Sequence, residues 1–385
     1  MSKAVKLGEI GNFVSGGTPS RKHPEYFEGS IPWVSTPALN GGMIDEADAV
    51  QMITEQAIAS SATKLLPPRS LLIGVRVGVG KTAVNLVPMC TNQDIVAITG
   101  VDESLWDIRY VSYAVQAKSS YLVSQKQGAT ITGITSKLLK GVEIQQRSIE
   151  DQRCCVRMLD SVKDRIKDAS DGIEKLDELV KSRFVEMFGD PIENPKQLPI
   201  MRIDEIADVQ TGATPLRSNA AYYGGSIPWV KTGEVAAGLL EEAEETITEL
   251  ALQETNCKLF PAGTILVAMY GQGDTRGKAA ILRYAAATNQ ACAAILLNEE
   301  YDADFILAQL NLRYKDLRSR SLGGNQQNLS LKIIKAYELI VPSTEQQREF
   351  MAFVQQIDKL KFETQQAIEK LQLLYDSLAQ EYFGS

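Results

Sequence analysis

The chain has 385 residues, of which 44% are hydrophobic and 23% charged, a composition typical of a globular protein with more than one domain. Its formal net charge of −8 argues against indiscriminate coating of nucleic acid, although local basic patches could still bind DNA. The N-terminus has no apolar run suited to a signal peptide, and no stretch of about 18 apolar residues occurs elsewhere. We therefore expect a cytoplasmic protein without a membrane span.

Cysteine and histidine offer no metal-ligand spacing. The five cysteines form no CxxC, and they are Cys90, Cys154, Cys155, Cys257 and Cys292. Both Ser-His-Asp and Cys-His catalysis would depend on the single histidine, His23, which lies in the polar stretch SRKHPEY. We interpret it as an exposed loop residue. The sequence thus predicts no metal site, and reduced thiols.

An internal repeat runs through the chain. GSIPWV occurs at Gly29–Val34 and again at Gly225–Val230. KLLPPRSLLIGV is similar to KLFPAGTILVAM, TNQDIVAI to TNQACAAI, and the ends of the two copies align Phe188 with Phe383. The offset stays between 194 and 197, so a unit of about 190 residues is present twice. Two copies indicate a pseudo-dimer on one chain and not a solenoid.

The first part of each copy, about 145 residues, reads as an α+β module. Glycine and proline separate short apolar runs, which predict buried strands in SLLIGV and IVAIT of the first copy and in TILVAM and AAILL of the second. VSYAVQ and FILAQLNL suggest helices. The alternation of both types favours an α+β fold for each module.

The second part of each copy reads as a long helix. From Ile149 to Phe188 there is no proline and one glycine, and Ser148 and Ser343 are suitable N-caps for the two helices. A 3-4 spacing of apolar residues predicts a coiled-coil seam, formed by Val156, Leu159, Val162, Ile166, Ala169, Ile173, Leu176, Val180, Phe184 and Met187. The second helix keeps apolar seam residues but has Lys361 and Thr364 in the middle of the seam; the apolar ones are Met351, Val354, Ile357, Ile368, Leu371, Tyr375, Ala379 and Tyr382.

We expect the two helices to pair antiparallel. The first helix passes into the second module through the short linker GDPIENPKQLP, whereas a parallel pairing would require the second module to span the helix length. The globular modules would then be related by a pseudo-two-fold axis. The predicted boundaries are residues 1–146 and 191–341 for the modules, and 147–190 and 342–385 for the helices.

The stretch GVRVGVGKTA is similar to a P-loop, but its spacing is wrong. With Gly80-Lys81-Thr82 as the GK[ST] element, the first glycine should stand at Val75, and Gly74 is one position too early. No Walker B strand is evident, and the second copy has VAMYGQGDTRGKAAIL at the matching place. Both stretches therefore predict a hairpin with Lys81 or Lys278 near its tip.

The sequence offers no catalytic centre. It lacks a DPPY- or NPPF-type tetrapeptide and an F-x-G-x-G motif, so we do not expect it to bind a methyl donor. No PD…ExK nuclease arrangement occurs. The acidic pairs Glu241-Glu242 and Glu244-Glu245 lie in a polar run and read as a solvated face.

Recognition of duplex DNA is the function that two similar modules on rigid helices favour, because dyad-related modules read opposite strands in the same sense. Basic and amide side chains in loops can contact phosphates and base edges, although each could equally be an ordinary exposed residue. The candidates are Arg21, Lys22, Arg76, Lys81, Lys126, Arg217, Lys231, Arg276, Lys278, Arg318, Arg320, Asn325, Gln326, Gln327 and Asn328.

The copies differ in their loops and agree in their framework. GSIPWV and TNQ are repeated, which indicates scaffold packing, whereas four stretches are dissimilar: residues 37–61, 233–255, 118–136 and 315–330. Similar scaffolds with dissimilar loops suit the reading of two different half-sites.

The chain resembles the specificity (S) subunit of type I restriction-modification systems over its full length. The resemblance rests on SGGTPSRKHPEYFEGSIPWV and TGATPLRSNAAYYGGSIPWV, the Gly-Lys hairpins, TNQ, and the helices that end in FGDP and FGS. QQNLSLKIIKAYELIVPSTEQQREF is especially similar to the family's passage into its spacer helix. The first copy departs there, because KLLKGVEIQQRSIEDQR has no proline corresponding to Pro342.

The resemblance implies two target recognition domains that read a bipartite, asymmetric DNA site, with a non-specific gap set by the helices. It implies a non-catalytic subunit without a cofactor of its own. Two methyltransferase (M) subunits would bind S-adenosylmethionine, flip the target base and methylate adenine N6. Two restriction (R) subunits, which are ATP-driven translocases with a nuclease, can join. Because the chain is acidic, we expect it to bind DNA weakly on its own and with a shallow salt dependence.

Four alternatives stay open on the sequence. Two belong to the same class: an S-like subunit of a combined restriction-methylation enzyme, or of a methylation-only system. The third is a P-loop NTPase with a coiled coil, which would bind ATP through Lys81. The fourth is a structural tether without sequence preference.

Overall fold

The chain folds into two units. The structure, a computed structural model, describes residues 3–126, 132–238, 240, 242–271, 273–321 and 328–384. The first unit comprises Met1–Asp171 with Thr364–Ser385, and the second comprises Gly172–Glu363. Each unit therefore contains one globular module and a part of both long helices.

The first unit contains ten strands and four short helices within its described residues, and it shares two long helices with the second unit. The strands are β1 (Lys3–Lys6), β2 (Asn12–Ser15), β3 (Ile31–Val34), β4 (Met43–Ile44), β5 (Gln51–Ile53), β6 (Leu71–Gly74), β7 (Thr82–Asn85), β8 (Cys90–Thr91), β9 (Ile95–Thr99) and β10 (Glu143–Gln146). The helices are α1 (Glu55–Ala59), α2 (Ile108–Ala117), α3 (Ser119–Ser124), α4 (Ser136–Lys140) and the long α5 (Ile149–Phe188).

The strands of the first unit form three small sheets. Their orders are β2-β9-β6-β7-β4, β5-β3-β8 and β1-β10. The runs SLLIGV and IVAIT form β6 and β9, which pair antiparallel and are almost wholly buried. VSYAVQ lies in α2, which packs on the same core. These strand and helix predictions are confirmed.

The second unit repeats this order. Its strands are β11 (Ile200–Arg202), β12 (Ala207–Thr211), β13 (Tyr223–Val230), β14 (Glu245–Ile247), β15 (Ile265–Ala268), β16 (Ala279–Ile281), β17 (Ala287–Thr288), β18 (Cys292–Leu297) and β19 (Glu338–Ile340). Its helices are α6 (Ile203–Ile206), α7 (Thr232–Ala237), α8 (Glu249–Glu254), α9 (Ala303–Leu312), α10 (Tyr314–Ser319), α11 (Leu331–Lys335) and the long α12 (Thr344–Phe383).

The sheet orders of the second unit are β12-β18-β15-β16, β14-β13-β17 and β11-β19, which match those of the first unit except that β4 has no counterpart among the described strands. TILVAM and AAILL form β15 and β18, and FILAQLNL lies in α9, as predicted. The structural difference falls just after the repeated hexapeptide. There the first module has a short 3-10 turn at Thr36–Ala38, and the second has the helix α7.

GSIPWV is part of the scaffold in both modules, as predicted. Trp33 and Trp229 are almost fully buried, and each indole nitrogen donates a hydrogen bond of 3.1 Å to a backbone carbonyl, that of Gly17 or Ala213. The glycine just before each acceptor position is required by close approach. A Cβ on Gly16 would lie 2.0 Å from the carbonyl oxygen of Asn92, so the repeated glycine lets the loop pack on the TNQ turn.

The long helices have 40 residues each and begin where the sequence predicts. Ser148 accepts a hydrogen bond from the backbone nitrogen of Asp151 (3.1 Å), which caps α5 without a preceding proline. The apolar seam residues of both helices are buried or half-buried. The predicted seam is therefore confirmed, and Lys361, inside it, contacts Asp177 (Nζ to Oδ1, 2.5 Å).

The two helices run antiparallel within each unit. In the first unit Arg147 donates to the carbonyl of Tyr382 (3.2 Å), while Lys163 lies 5.3 Å from the ring centroid of Tyr375. The first contact joins a residue just before α5 to the end of α12. The second joins a residue further along α5 to one nearer the start of α12, so the two helices run in opposite directions. In the second unit Arg183 pairs with Glu349 (2.7 Å) and Asp177 with Lys361, which gives the same direction.

Aromatic side chains fix the helix ends in the module cores. In the second unit Phe184 and Phe188 of α5 meet Phe305 and Phe350, with ring centroids 4.9 to 6.2 Å apart. In the first unit Phe383, the repeat equivalent of Phe188, lies 5.1 Å from the ring of Tyr110. The Phe-Gly pairs that end both copies therefore attach each helix to a globular module.

Candidate nucleic-acid interface

The Gly-Lys stretch of the first module is a hairpin tip. Strands β6 and β7 pair antiparallel on either side of it, and the backbone nitrogen of Gly74 donates to the carbonyl of Lys81 (2.9 Å). Gly78 and Gly80 adopt positive φ angles of 61° and 81°, as a tight turn requires. The hairpin prediction is confirmed, and this geometry gives no support to the P-loop alternative.

The side chain of Lys81 is exposed at this tip and forms no ion pair within the described part of the chain. It borders an open cleft of about 820 Å³ within the first unit. Ser119 and Ser120 of α3 line the same cleft, and Gly80 packs against Ser119. Arg76, on the same tip, lies 3.9 Å from Asp94, at the outer limit of an ion pair.

The matching tip of the second module has a different chemistry. Lys278 lies with its Nζ 4.6 Å from the ring centroid of Tyr314, the first residue of α10, and the guanidinium carbon of Arg318 lies 5.9 Å from it. Tyr314 donates its hydroxyl hydrogen to the carbonyl of Asp274 (3.1 Å). Arg318 donates to the carbonyl of Arg276 (3.2 Å) and to the hydroxyl oxygen of Tyr314 (3.1 Å). The structure thus brings two predicted cations, Lys278 and Arg318, together around one phenol.

A second cationic group of the second module lies beside the repeated tryptophan. The guanidinium carbon of Arg217 lies 4.8 Å from the ring centroid of Tyr223 and 5.0 Å from that of Trp229. It also pairs with Glu245 (Nη1 to Oε2, 2.5 Å). Hydrogen bonding to Arg217 and then to Lys231 lowers the pKa of the Glu245 carboxyl, so the acid is ionised at neutral pH.

Lys231 belongs to the same network. Its Nζ lies 2.8 Å from Glu244 and 3.1 Å from Glu245, and its backbone nitrogen donates to the buried Glu234 (2.8 Å). Hydrogen bonds to Glu244, which has the larger effect, and to Glu245 raise the pKa of Lys231. Two cations therefore pair with two carboxylates, and the carboxylate of Glu234 accepts from backbone nitrogens of the same network. The sequence had suggested a simple solvated face for Glu244 and Glu245.

The equivalent place in the first module has no such network. Arg21 and Lys22 are exposed and form no ion pair with any residue that the structure describes. Phe27 and Trp33 keep the edge-to-face arrangement of Tyr223 and Trp229, with ring centroids 6.5 Å apart at 79° against 6.3 Å at 80°. The aromatic scaffold is thus the same while the charges around it differ.

The remaining candidates are dispersed. Arg320 pairs with Asp316 (3.4 Å), which also accepts a hydrogen bond from Tyr337 (2.7 Å), and Lys126 is half-buried just after the end of α3. Asn325, Gln326 and Gln327 lie outside the described residues. Sequence reasoning did not single out Tyr314, and it assigned Glu245 to a solvated face. An aromatic residue at the start of a helix after FILAQLNL was the only signal for Tyr314.

Within the described ranges, no group of three histidine, cysteine, aspartate or glutamate side chains is placed to hold a metal ion. None of the helices described is both long and apolar enough to cross a membrane.

Two α+β modules on one chain, each continued by a long seam-forming helix and each with its own set of loop cations, define a duplicated recognition protein. Residues 2–175 and 195–373 match the family model of the type I restriction modification DNA specificity domain. The chain belongs to this family, and its function is that of a specificity subunit.

Individual relatives agree with this assignment. The MjaIX specificity subunit of Methanocaldococcus jannaschii is 26% identical over 392 residues, which cover 97% of this chain and 90% of that protein. The EcoR124I/EcoR124II specificity subunit of Escherichia coli is 31% identical over 185 residues, which cover 46% of this chain and 45% of that protein.

Solved structures share the fold. A chain from work on complex assembly and conformational transition of the type I R-M system superposes with a TM-score of 0.67 at 15% identity, covering 99% of this chain and 97% of its own. The S subunit from M. genitalium superposes with a TM-score of 0.56 at 16% identity, covering 100% and 96%.

Proposed function

We propose that each module reads one half of a bipartite, asymmetric DNA sequence and that the chain has no catalytic activity or cofactor of its own. The observation that carries this proposal is the contrast at the two hairpin tips. On the same scaffold, one tip presents Lys81 next to Gly80, which packs against Ser119, whereas the other presents Lys278 and Arg318 around Tyr314. Equal frameworks with unequal cation patterns suit two different half-sites.

The DNA contacts in this proposal come from the loop residues predicted from the sequence. Arg21, Lys22, Arg76 and Lys81 serve the first half-site, together with Lys126 just after α3. The second half-site is served by the basic residues of the second module other than Arg217, which Glu245 holds, and by the amide run that follows, namely Lys231, Arg276, Lys278, Arg318, Arg320, Asn325, Gln326 and Gln327. Phosphate contacts set affinity, and base contacts set the sequence read.

The partners proposed are two M subunits, which bring S-adenosylmethionine chemistry, and R subunits where a system has them. The two long helices offer a surface for them. Apolar side chains that are 46 to 70% exposed point away from the seam, and they are Met158, Leu373 and Leu374 in the first unit and Leu179, Val185, Leu360 and Phe362 in the second. Outward apolar residues on paired helices suit packing against further helices in a bundle.

Mapping methylated adenines in a host that carries the assembled system tests the proposal. We expect one two-part motif with a fixed gap. Exchanging residues 1–145 for those of a relative should then change one half of the motif and leave the other. A change in both halves, or methylation without a motif, contradicts it. Co-purification separates the variants of the function: an M subunit without R indicates a methylation-only system, and one large partner indicates a combined enzyme.

A further inference from the structure

The residue opposite the repeated tryptophan differs between the modules in one respect that matters for DNA: its charge. Strand pairing sets Gln51 opposite Trp33 on β5 and Glu245 opposite Trp229 on β14, in the same antiparallel register. The flanking pairs are also equivalent, since Ile31 faces Ile53 and Ile227 faces Ile247. Position 51 and position 245 are therefore the same place on two copies of one scaffold.

At this place in the second module the carboxylate holds the repeated arginine. Glu245 contacts both terminal nitrogens of Arg217, at 2.5 and 3.4 Å, while the guanidinium also lies over Tyr223 and Trp229. A guanidinium that contacts one carboxylate with two nitrogens and lies over two rings has few donors left for a phosphate. Glu244, which pairs with Lys231, adds a further negative charge next to Glu245.

In the first module the amide does not hold the arginine. The side-chain oxygen of Gln51 is buried and accepts no hydrogen bond from any described residue. Arg21, the repeat equivalent of Arg217, is exposed, with neither an ion pair nor a ring contact among those residues. Its guanidinium keeps its full set of donors.

We infer that the residue opposite the tryptophan decides whether the repeated arginine of a module binds a DNA phosphate: Gln51 leaves Arg21 available, and Glu245 withholds Arg217. This rests on the proposed function. It assigns a role in DNA affinity to two residues that carry no positive charge. DNA binding by the first module should then depend more on a phosphate contact of its arginine than DNA binding by the second module does.

Two reciprocal substitutions test the inference. Glu245→Gln gives the second module the residue of the first, and Gln51→Glu does the reverse. The full chain, bound to the methyltransferase subunit with which it co-purifies, is titrated into a fluorescent 40-base-pair duplex that carries the mapped site and into a scrambled duplex, at 50 to 200 mM salt. One phosphate contact adds about 0.9 to the slope of log affinity against log salt, or about 3.5-fold across this range.

We expect Glu245→Gln to steepen the slope by about one contact and Gln51→Glu to make it shallower by a similar amount. The gain must run through the arginine. Arg217→Ala should therefore change the slope little in the native background and should abolish the gain in the Glu245→Gln background. Matched controls carry the same charge change away from the arginines: Glu254→Gln in the second module and Gln56→Glu in the first, both at exposed positions.

The outcomes separate the inference from the proposed function. If the wild-type complex prefers the mapped duplex but the reciprocal variants shift the slope no more than their controls do, the inference alone is wrong. If the wild type binds both duplexes equally, sequence reading is wrong, while the slopes on either duplex still decide the role of positions 51 and 245. Absence of binding to both duplexes overturns both proposals.

Discussion

The Nζ atom of Lys278, in the hairpin of the second module, lies 4.6 Å from the ring centroid of Tyr314, the first residue of α10. The hydroxyl of the same tyrosine donates to the carbonyl of Asp274 within that turn, and Arg318 donates to the hydroxyl oxygen. One side chain thus fixes the turn and orders two cations. In the first module the equivalent residue is Ser119, whose side chain has no aromatic ring and is shorter than that of tyrosine.

Replacing Tyr314 by serine should weaken DNA binding by the second module. Lys278 and Arg318 would then have to be ordered when DNA binds, and immobilising such side chains costs about 0.5–1.5 kcal/mol each. We expect affinity to fall about 5- to 150-fold with little change in the salt slope, because the charges remain. Fluorescence anisotropy with the assembled complex measures both quantities.

Tyr314→Phe separates the ring from the hydroxyl and should lose less affinity than Tyr314→Ser. Tyr222→Phe is the matched control, because the hydroxyl of that half-buried tyrosine bonds to Glu254 and Asn219 in the same module, away from the hairpin tip. Equal affinity of Tyr314→Ser and the wild type would show that the two cations are either ordered without the ring or do not contact DNA.

The sequence predicts the strands, the hairpins and both helices because those features depend on local periodicity and turn residues. The runs SLLIGV and IVAIT are apolar enough to be buried in any packing. The network around Arg217 depends instead on strand register. Glu245 is 28 residues away in the sequence and meets Arg217 only because β14 pairs with β13 so that Glu245 faces Trp229. The partner of a residue in such a polar run can be identified only once the pairing of the strands is known.

Lys361→Leu should stabilise the chain. The Lys361 side chain is only 26% exposed, at a seam position, and its ion pair with Asp177 (55% exposed) is largely solvated. An ion pair of this kind contributes about 0–1 kcal/mol, whereas burying a leucine at a seam contributes about 1.5–3 kcal/mol. We expect the free energy of unfolding to rise by about 1 kcal/mol, measured by urea denaturation.

Lys359→Leu is the control for this substitution, since the Lys359 side chain is 77% exposed on the same helix. It should leave stability nearly unchanged and reduce solubility. A loss of stability in Lys361→Leu would mean that the lysine is needed in the seam, as polar seam residues that fix helix register are.

Removing one heptad from each of α5 and α12 should shorten the gap of the recognised motif and leave its two halves unchanged. Seven residues of helix correspond to about 10 Å, or roughly three base pairs. The measurement is the map of methylated adenines in a host that carries the altered subunit. Removal of three residues from each helix is the control, because it rotates the seam out of register and should abolish methylation. An unchanged gap after heptad removal would refute the role of the helices as spacer.

Alkylation of cysteines should report separately on the unfolding of the two modules. Burial raises the pKa of the Cys90 thiol to about 11 and that of Cys292 to about 12. Cys90 lies in β8 of the first module and Cys292 in β18 of the second. Because the thiolate is the reactive form, a thiol with a pKa near 11 is only about 0.1% reactive at pH 8.

Short pulses of iodoacetamide at pH 8, followed by peptide mass spectrometry, should therefore label the exposed Cys154 in the folded chain and spare Cys90 and Cys292. As urea is raised, each buried thiol should become labelled at the transition of its own module, with the pKa falling back to about 8.5 on unfolding. A Cys154→Ser chain, which removes the one exposed thiol of the five, gives the baseline for the folded state. Rapid labelling of Cys90 without urea would show that β8 opens to solvent far below the global transition, and the parallel pairing of β8 with the GSIPWV strand would then be the weak point of the first module.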